Sequence, residues 1–115
     1  MVVEDEDDLR QPIRRSLAAA GYTVLEASSA EEAVELARDH DGQIDLVLTD
    51  VVLPGLSGKQ LVEELRQLYP QLASILVSGY GGQVLSRRGV KPNQVRLSKP
   101  VDLDELKAAI DEILG

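Results

Sequence analysis

Five times along this chain a short run of aliphatic residues, most of them β-branched or Leu, gives way to a stretch with helical apolar spacing. This alternation limits the fold more than any other feature. Residues 1–3 form the first run, and Leu9, Ile13 and Leu17 then recur at helical spacing until Gly21 closes the helix. Residues 23–25 (TVL) read as the second strand. Ser29 reads as a helix cap with Glu32 completing a capping box, and Ala33, Leu36 and Ala37 as the buried stripe behind it. Residues 44–49 (IDLVLT) are nearly continuous in apolar character, as a strand covered on both faces should be. Leu61, Leu65 and Leu68 mark a third helix, residues 74–77 (SILV) a fourth strand and residues 95–98 (VRLS) a fifth. Asp102 caps a last helix with Leu103, Leu106, Ile110 and Ile113 on its inner face.

Strands alternating with helices predict a parallel sheet joined by right-handed crossovers. The expectation is one α/β domain over residues 1–115: a doubly wound five-stranded parallel sheet of flavodoxin-like order 2-1-3-4-5, with helices on both faces. Two places fit poorly. Gly81, Gly82 and Gly89 make the stretch between strands four and five a weak and mobile helix, and Pro12 should kink the first helix or delay its start. The first strand begins almost at residue 1, which suggests a domain cut from a longer chain.

Composition narrows the function. No Cys is present, so thiolate metal sites and disulfides are excluded. No apolar stretch approaches the roughly 20 residues of a membrane span and no signal-peptide pattern opens the chain, so the expected location is cytoplasmic, without membrane insertion. The net charge of −8 argues against direct nucleic acid binding by this domain.

In such sheets the chemistry lies beyond the carboxyl ends of the strands. Those ends carry Glu4-Asp5, Asp50, Ser78 and Lys99, so carboxylates, a hydroxyl and an ammonium should meet on one rim. A bare carboxylate cluster repels itself; a hard divalent cation with oxygen ligands removes the difficulty, which suits Mg²⁺. Asp50 is then the central nucleophile, Lys99 a point charge for a phosphoryl oxygen and Ser78 a hydrogen-bond donor to another. Each residue alone has a plainer explanation. Acids after a strand, Asp7 and Asp8 above all, usually serve only a helix N-terminus. A lone Asp is more often a turn residue, and a lone Lys is usually solvated. His40, in Asp39-His40-Asp41-Gly42, reads as a cation at a helix end. The signal lies in the combination.

These residues resemble the receiver domain of two-component response regulators over almost the whole chain. The resemblance rests on Val2-Val3-Glu4-Asp5, on Leu48-Thr49-Asp50 followed by Pro54, Gly55 and Gly58, on Val77-Ser78-Gly79 and on Lys99-Pro100. It implies that Asp50 is the phosphoacceptor, Asp5 a direct ligand of Mg²⁺ (or Mn²⁺), and Glu4 a ligand through water. The Val52 backbone carbonyl would be a further ligand, Ser78 the switch hydroxyl and Lys99 the lysine that contacts the phosphoryl group. It implies transfer from a phosphohistidine on a sensor histidine kinase or histidine phosphotransfer domain. The domain itself would catalyse that transfer and a slow hydrolysis. A cis Lys99–Pro100 bond is implied too, against a general X-Pro frequency of about 5–6%. The run LVLTDVVLPGLSG and Ser78-Gly79-Tyr80 look most like receivers attached to hybrid histidine kinases.

Two residues depart from the pattern: Arg96 stands where an aromatic ring is usual three positions before the lysine, and Val101 where Phe often follows Lys-Pro. Arg96 cannot bury as a ring does without pairing its charge, so an output route that bypasses the hydroxyl–ring coupling is expected. A comparison with and without a phosphoryl mimic tests this, an inward flip of Arg96 counting against it. Rival readings fare worse. A nucleotide-binding module would need a glycine-rich turn where this chain has acids, and the Gly55–Lys59 stretch lacks phosphate-loop spacing. An aspartyl-phosphate hydrolase would want Asp where Val52 stands. The alternative that stays open is a receiver-like docking module that is not phosphorylated.

Overall fold

The computed structural model describes residues 1–79 and 96–115. The expectations for Tyr80, for Gly81, Gly82 and Gly89, and for Val95 lie outside the described residues. In chain order the elements are β1 (Val2–Val3), α1 (Asp7–Ala19), β2 (Glu26–Ala27), α2 (Ala30–Asp39), β3 (Leu46–Asp50), α3 (Gly58–Leu68), β4 (Ala73–Ser78), β5 (Leu97–Ser98) and α4 (Leu103–Leu114). All strand pairs are parallel, as the alternating pattern predicts, and the sheet order is β2-β1-β3-β4-β5, the flavodoxin-like order expected.

Side chains on a strand alternate between faces, so each strand serves two cores. Val3, Val47 and Leu76 point to the face that α2 and α3 cover with Ala33, Ala37, Leu61 and Leu65. Val2, Leu48, Ile75, Val77 and Leu97 point to the opposite face, against Ile13 and Leu17 of α1 and Leu106 and Ile110 of α4. Double coverage explains why β3 reads as a continuous apolar run.

Several boundaries differ from expectation, for local reasons. The second strand lies at Glu26–Ala27 rather than at 23–25, because Val2 N–H donates to the Leu25 carbonyl and Glu4 N–H to that of Ala27. Val24 and Leu25 still pack, on opposite faces, ahead of the ladder. The first helix starts at Asp7, so Pro12 does not delay it, and Gly21 ends it at φ +99° with Tyr22 N–H bonded to the Leu17 carbonyl. Its buried stripe is Arg10, Ile13 and Leu17, while Leu9 is only half-buried. Ser29 caps α2 through Glu32 N–H at 3.1 Å, but the Glu32 carboxylate accepts from the Ser28 hydroxyl instead of closing a box. The full capping box is at α3, between Ser57 and Gln60. Leu68, expected in the core, ends α3 and is 43% exposed, its place taken by Leu72 and part of Tyr69. Ile113, in the last turn of α4, is 39% exposed, and Ala109 completes that helix's inner face. Among the described residues, no helix is long and apolar enough to cross a membrane.

Candidate metal and phosphoryl site

Parallel pairing brings the carboxyl ends of β1, β3, β4 and β5 to one rim. Glu4 follows β1, Asp50 ends β3, Ser78 ends β4 and Lys99 follows β5. The two middle strands carry their polar ends into near-complete burial: Asp50 is 4% and Ser78 4% exposed, and Glu4 beside them is 5% exposed. Asp5 is exposed at the rim's outer edge. An open depression over the acids is lined by Asp5, Asp50, Val52, Pro54, Gly55 and Lys99.

Lys99 Nζ lies 2.6 Å from Asp50 Oδ2 and 3.2 Å from Glu4 Oε2. Burial alone would lower the Lys99 pKa; the bond to Asp50 and the charges of Asp50 and Glu4 outweigh it and hold the ammonium above its usual range. Burial pushes the Glu4 carboxyl up from 4.5, Lys99 pulling the other way and Asp50 adding to the rise. The other Asp50 oxygen, Oδ1, accepts from Val52 N–H at 3.2 Å. The cis Lys99–Pro100 bond is present, and Lys99 N–H donates to the Ser78 carbonyl at 3.0 Å, tying the lysine's backbone to β4.

One carboxylate oxygen from each of Glu4, Asp5 and Asp50 lies within 4.8 Å of the others. Oxygens sharing a cation at about 2.1 Å lie within about 4.2 Å of one another. The gap is therefore one that small side-chain rotations close. The donors are hard oxygens, as Mg²⁺ or Mn²⁺ prefers. Three carboxylates against one ammonium leave two negative charges, which one divalent cation matches. On both counts the residues present fit such an ion.

Every residue singled out on the rim is thus brought together, and Val52 follows directly on the Asp50 turn. Asp7 and Asp8 occupy the exposed first turn of α1, as helix N-terminal acids do. His40 caps the C-terminus of α2, away from the rim, its carbonyl near the Tyr69 hydroxyl. Arg96 points outward and pairs with Glu112 of α4, and Val101 packs at the edge of the α1/α4 core. Arg10 escaped the sequence reading, and Gly58 entered it only through the resemblance, without its packing role. Arg10, whose guanidinium donates to the Glu4 carbonyl at 2.8 Å, stands three residues before Ile13 on the buried stripe, a spacing that marks it. Gly58 meets the end of β3 so closely that a Cβ there would lie 2.2 Å from the Asp50 carbonyl oxygen. Its sequence signals are its place at a helix start and in the motif that carries the resemblance.

The family model of the response regulator receiver domain matches residues 1–111. Sensor kinase CckA of Brucella abortus (strain 2308) is 38% identical over 117 residues, covering 99% of this chain and 12% of that protein. The response regulator receiver protein CpdR of the same organism is 29% identical over 115 residues, covering 99% of this chain and 94% of CpdR. The chain therefore matches one stretch of a much longer kinase and nearly the whole of a single receiver protein. The crystal structure of the receiver domain from hybrid histidine kinase CckA superimposes with a TM-score of 0.81 at 34% identity, over 99% of this chain and 96% of that one.

Proposed function

Since the chain belongs to the response regulator receiver domain family of two-component systems, we propose that it accepts a phosphoryl group onto Asp50 from a phosphohistidine. The donor is a sensor histidine kinase or a histidine phosphotransfer domain, and the acceptor unit is the whole domain, residues 1–115, working in the cytoplasm. A single observation carries the reading: the Lys99 ammonium sits 2.6 Å from the Asp50 carboxylate, inside a ring of carboxylates.

In the transfer an Asp50 oxygen forms the new O–P bond as the N–P bond of the donor breaks, the electron pair staying on the histidine nitrogen. Asp50 is held for this by Val52 N–H on one oxygen and Lys99 on the other. Lys99 moves from the carboxylate to a phosphoryl oxygen as charge develops there, and the Ser78 hydroxyl donates to another. Glu4, Asp5, Asp50 and the Val52 carbonyl would hold Mg²⁺ or Mn²⁺. That ion would neutralise charge on the transferring group. Water attack on the aspartyl phosphate resets the domain. The changed charge at the rim alters its surface and so regulates an output, or the phosphoryl group passes onward within a hybrid kinase.

Amide spectra recorded with Mg²⁺ and beryllofluoride test this. The expected result is large shifts at residues flanking Asp50, absent in Asp50→Asn, together with phosphoryl labelling of the unsubstituted chain only. Labelling of Asp50→Asn at an equal rate would show the acceptor to be misassigned. A folded chain that responds neither to beryllofluoride nor to a phosphodonor would be a docking module instead.

A further inference from the structure

Arg10 lies on the buried stripe of α1, in line with Ile13 and Leu17, and only 8% of its surface is exposed. A guanidinium in such a place loses hydration that its ion pairs only partly return. Removing it alone would leave the Glu4 carbonyl without this donor and the Asp7 and Glu26 carboxylates without this cation, so part of its role is structural. Its hydrogen bonds offer another role. Nη1 donates to the Glu4 carbonyl at 2.8 Å in a buried bond, Nε donates to Glu26 Oε1 at 3.0 Å, and Nη2 pairs with the Asp7 carboxylate. Glu26 is in turn held by Arg14 at 2.9 Å and Gln11 at 3.2 Å. Because the guanidinium is a rigid planar fork, acceptors on its other nitrogens fix the direction in which Nη1 points.

The Glu4 carbonyl belongs to the peptide that joins Glu4 to Asp5, two of the three acids of the rim. Other bonds restrain this turn from either side: Glu4 N–H reaches the Ala27 carbonyl at 3.1 Å and Glu6 N–H reaches Glu4 Oε1 at 3.3 Å. The bond from Arg10 fixes the plane between them, and with it the directions in which the two side chains leave the backbone. Resting on the reading that the rim takes a divalent cation, we infer that Arg10 is a positioning residue for that site, acting through the Glu4 carbonyl. Its hydrogen bonds touch none of the carboxylate oxygens of Glu4, Asp5 or Asp50.

Calorimetric titration of Mg²⁺ into the metal-free chain, alongside its thermal midpoint, tests the assignment with Arg10→Met and Glu26→Gln. Arg10→Met, which leaves the Glu4 carbonyl without this donor, is expected to melt cooperatively at a lower midpoint while, still folded, binding Mg²⁺ about ten- to a hundredfold more weakly, the usual cost of losing a support behind a metal ligand. Glu26→Gln keeps an acceptor for Nε and leaves the Glu4 bond in place, so it should bind Mg²⁺ nearly as the unsubstituted chain does. Equal Mg²⁺ affinity in folded Arg10→Met would overturn the inference, as would an equal loss in both variants. If Arg10→Met fails to fold, Arg10→Lys decides: it keeps the charge without the fork, so weakened binding supports the role and unchanged binding refutes it. Failure of the unsubstituted chain to bind Mg²⁺ would instead remove the proposed metal site, and this inference with it.

Discussion

Glu4 and Asp50 are two nearly buried carboxylates, and Lys99 is the cation that touches both. Replacing it with Met fills much of the same volume but leaves two charges facing each other without a counter-charge. Such a loss costs about 1–3 kcal/mol, the ammonium's partial exposure keeping it toward the low end. Urea denaturation of metal-free Lys99→Met should show that loss, and added Mg²⁺ should return most of it by supplying the missing positive charge. A pH dependence follows from Glu4. Its folded pKa is raised above 4.5, mainly by burial, so the folded state binds the proton more tightly than the unfolded chain does. The Glu4 contribution to metal-free stability therefore grows as pH falls through the raised folded value toward 4.5, and is a net penalty above it. Urea midpoints measured against pH should show this rise on acidification, and Glu4→Gln should remove it.

Gly58 opens α3 against the end of β3, with its N–H bonded to the Val51 carbonyl at 2.7 Å. A methyl group there would meet Asp50 backbone atoms at 2.2 and 3.0 Å, and neither partner is a flexible side chain that could swing away. Gly58→Ala should therefore push α3 off β3, costing about 1–3 kcal/mol as overpacking does and shifting the Asp50 amide resonance, whereas an added methyl at Gly55, exposed and without near neighbours, meets only its φ of +87°. No periodicity reveals such a contact, because it depends on how two elements meet. What a sequence does reveal is each element's own pattern. The five apolar runs gave the parallel sheet, and the residues at their ends gave the acids and Lys99, since parallel pairing leaves those ends one place to go. The edges of elements were less legible. The second strand slid to Glu26–Ala27 because its bonds to β1 run from the Leu25 carbonyl to that of Ala27, and Leu68 and Ile113 kept their helical spacing while their helices ran past the core. Arg10 was missed because a charged residue on an amphipathic helix is normally counted on the wet face. Arg96 lies outside the core and pairs with Glu112.

Across the whole molecule the net charge is −8, and part of that excess is concentrated at one end of the sheet. Two mechanisms could then let salts stabilise the domain, and they differ in what they require. General screening acts on every exposed acid, depends on ionic strength and is largely complete once the Debye length falls to about 10 Å, near 0.1 M salt. Occupation of a site depends on the particular cation and on the three acids that would share it. At a Mg²⁺ concentration one hundred times its dissociation constant, site binding adds about 2.7 kcal/mol, which for a domain of this size raises the melting temperature by roughly 10 °C. Sodium chloride at matched ionic strength should give only a small part of that rise, and Asp5→Asn, which removes an exposed acid and leaves the Lys99 pair with Asp50 in place, should lose most of the Mg²⁺ increment while melting normally without metal. Thermal melts of both chains in the two salts separate the cases. Equal stabilisation by sodium chloride and Mg²⁺ would mean that the acids act only as diffuse charge, and that their convergence at the strand ends serves no ion.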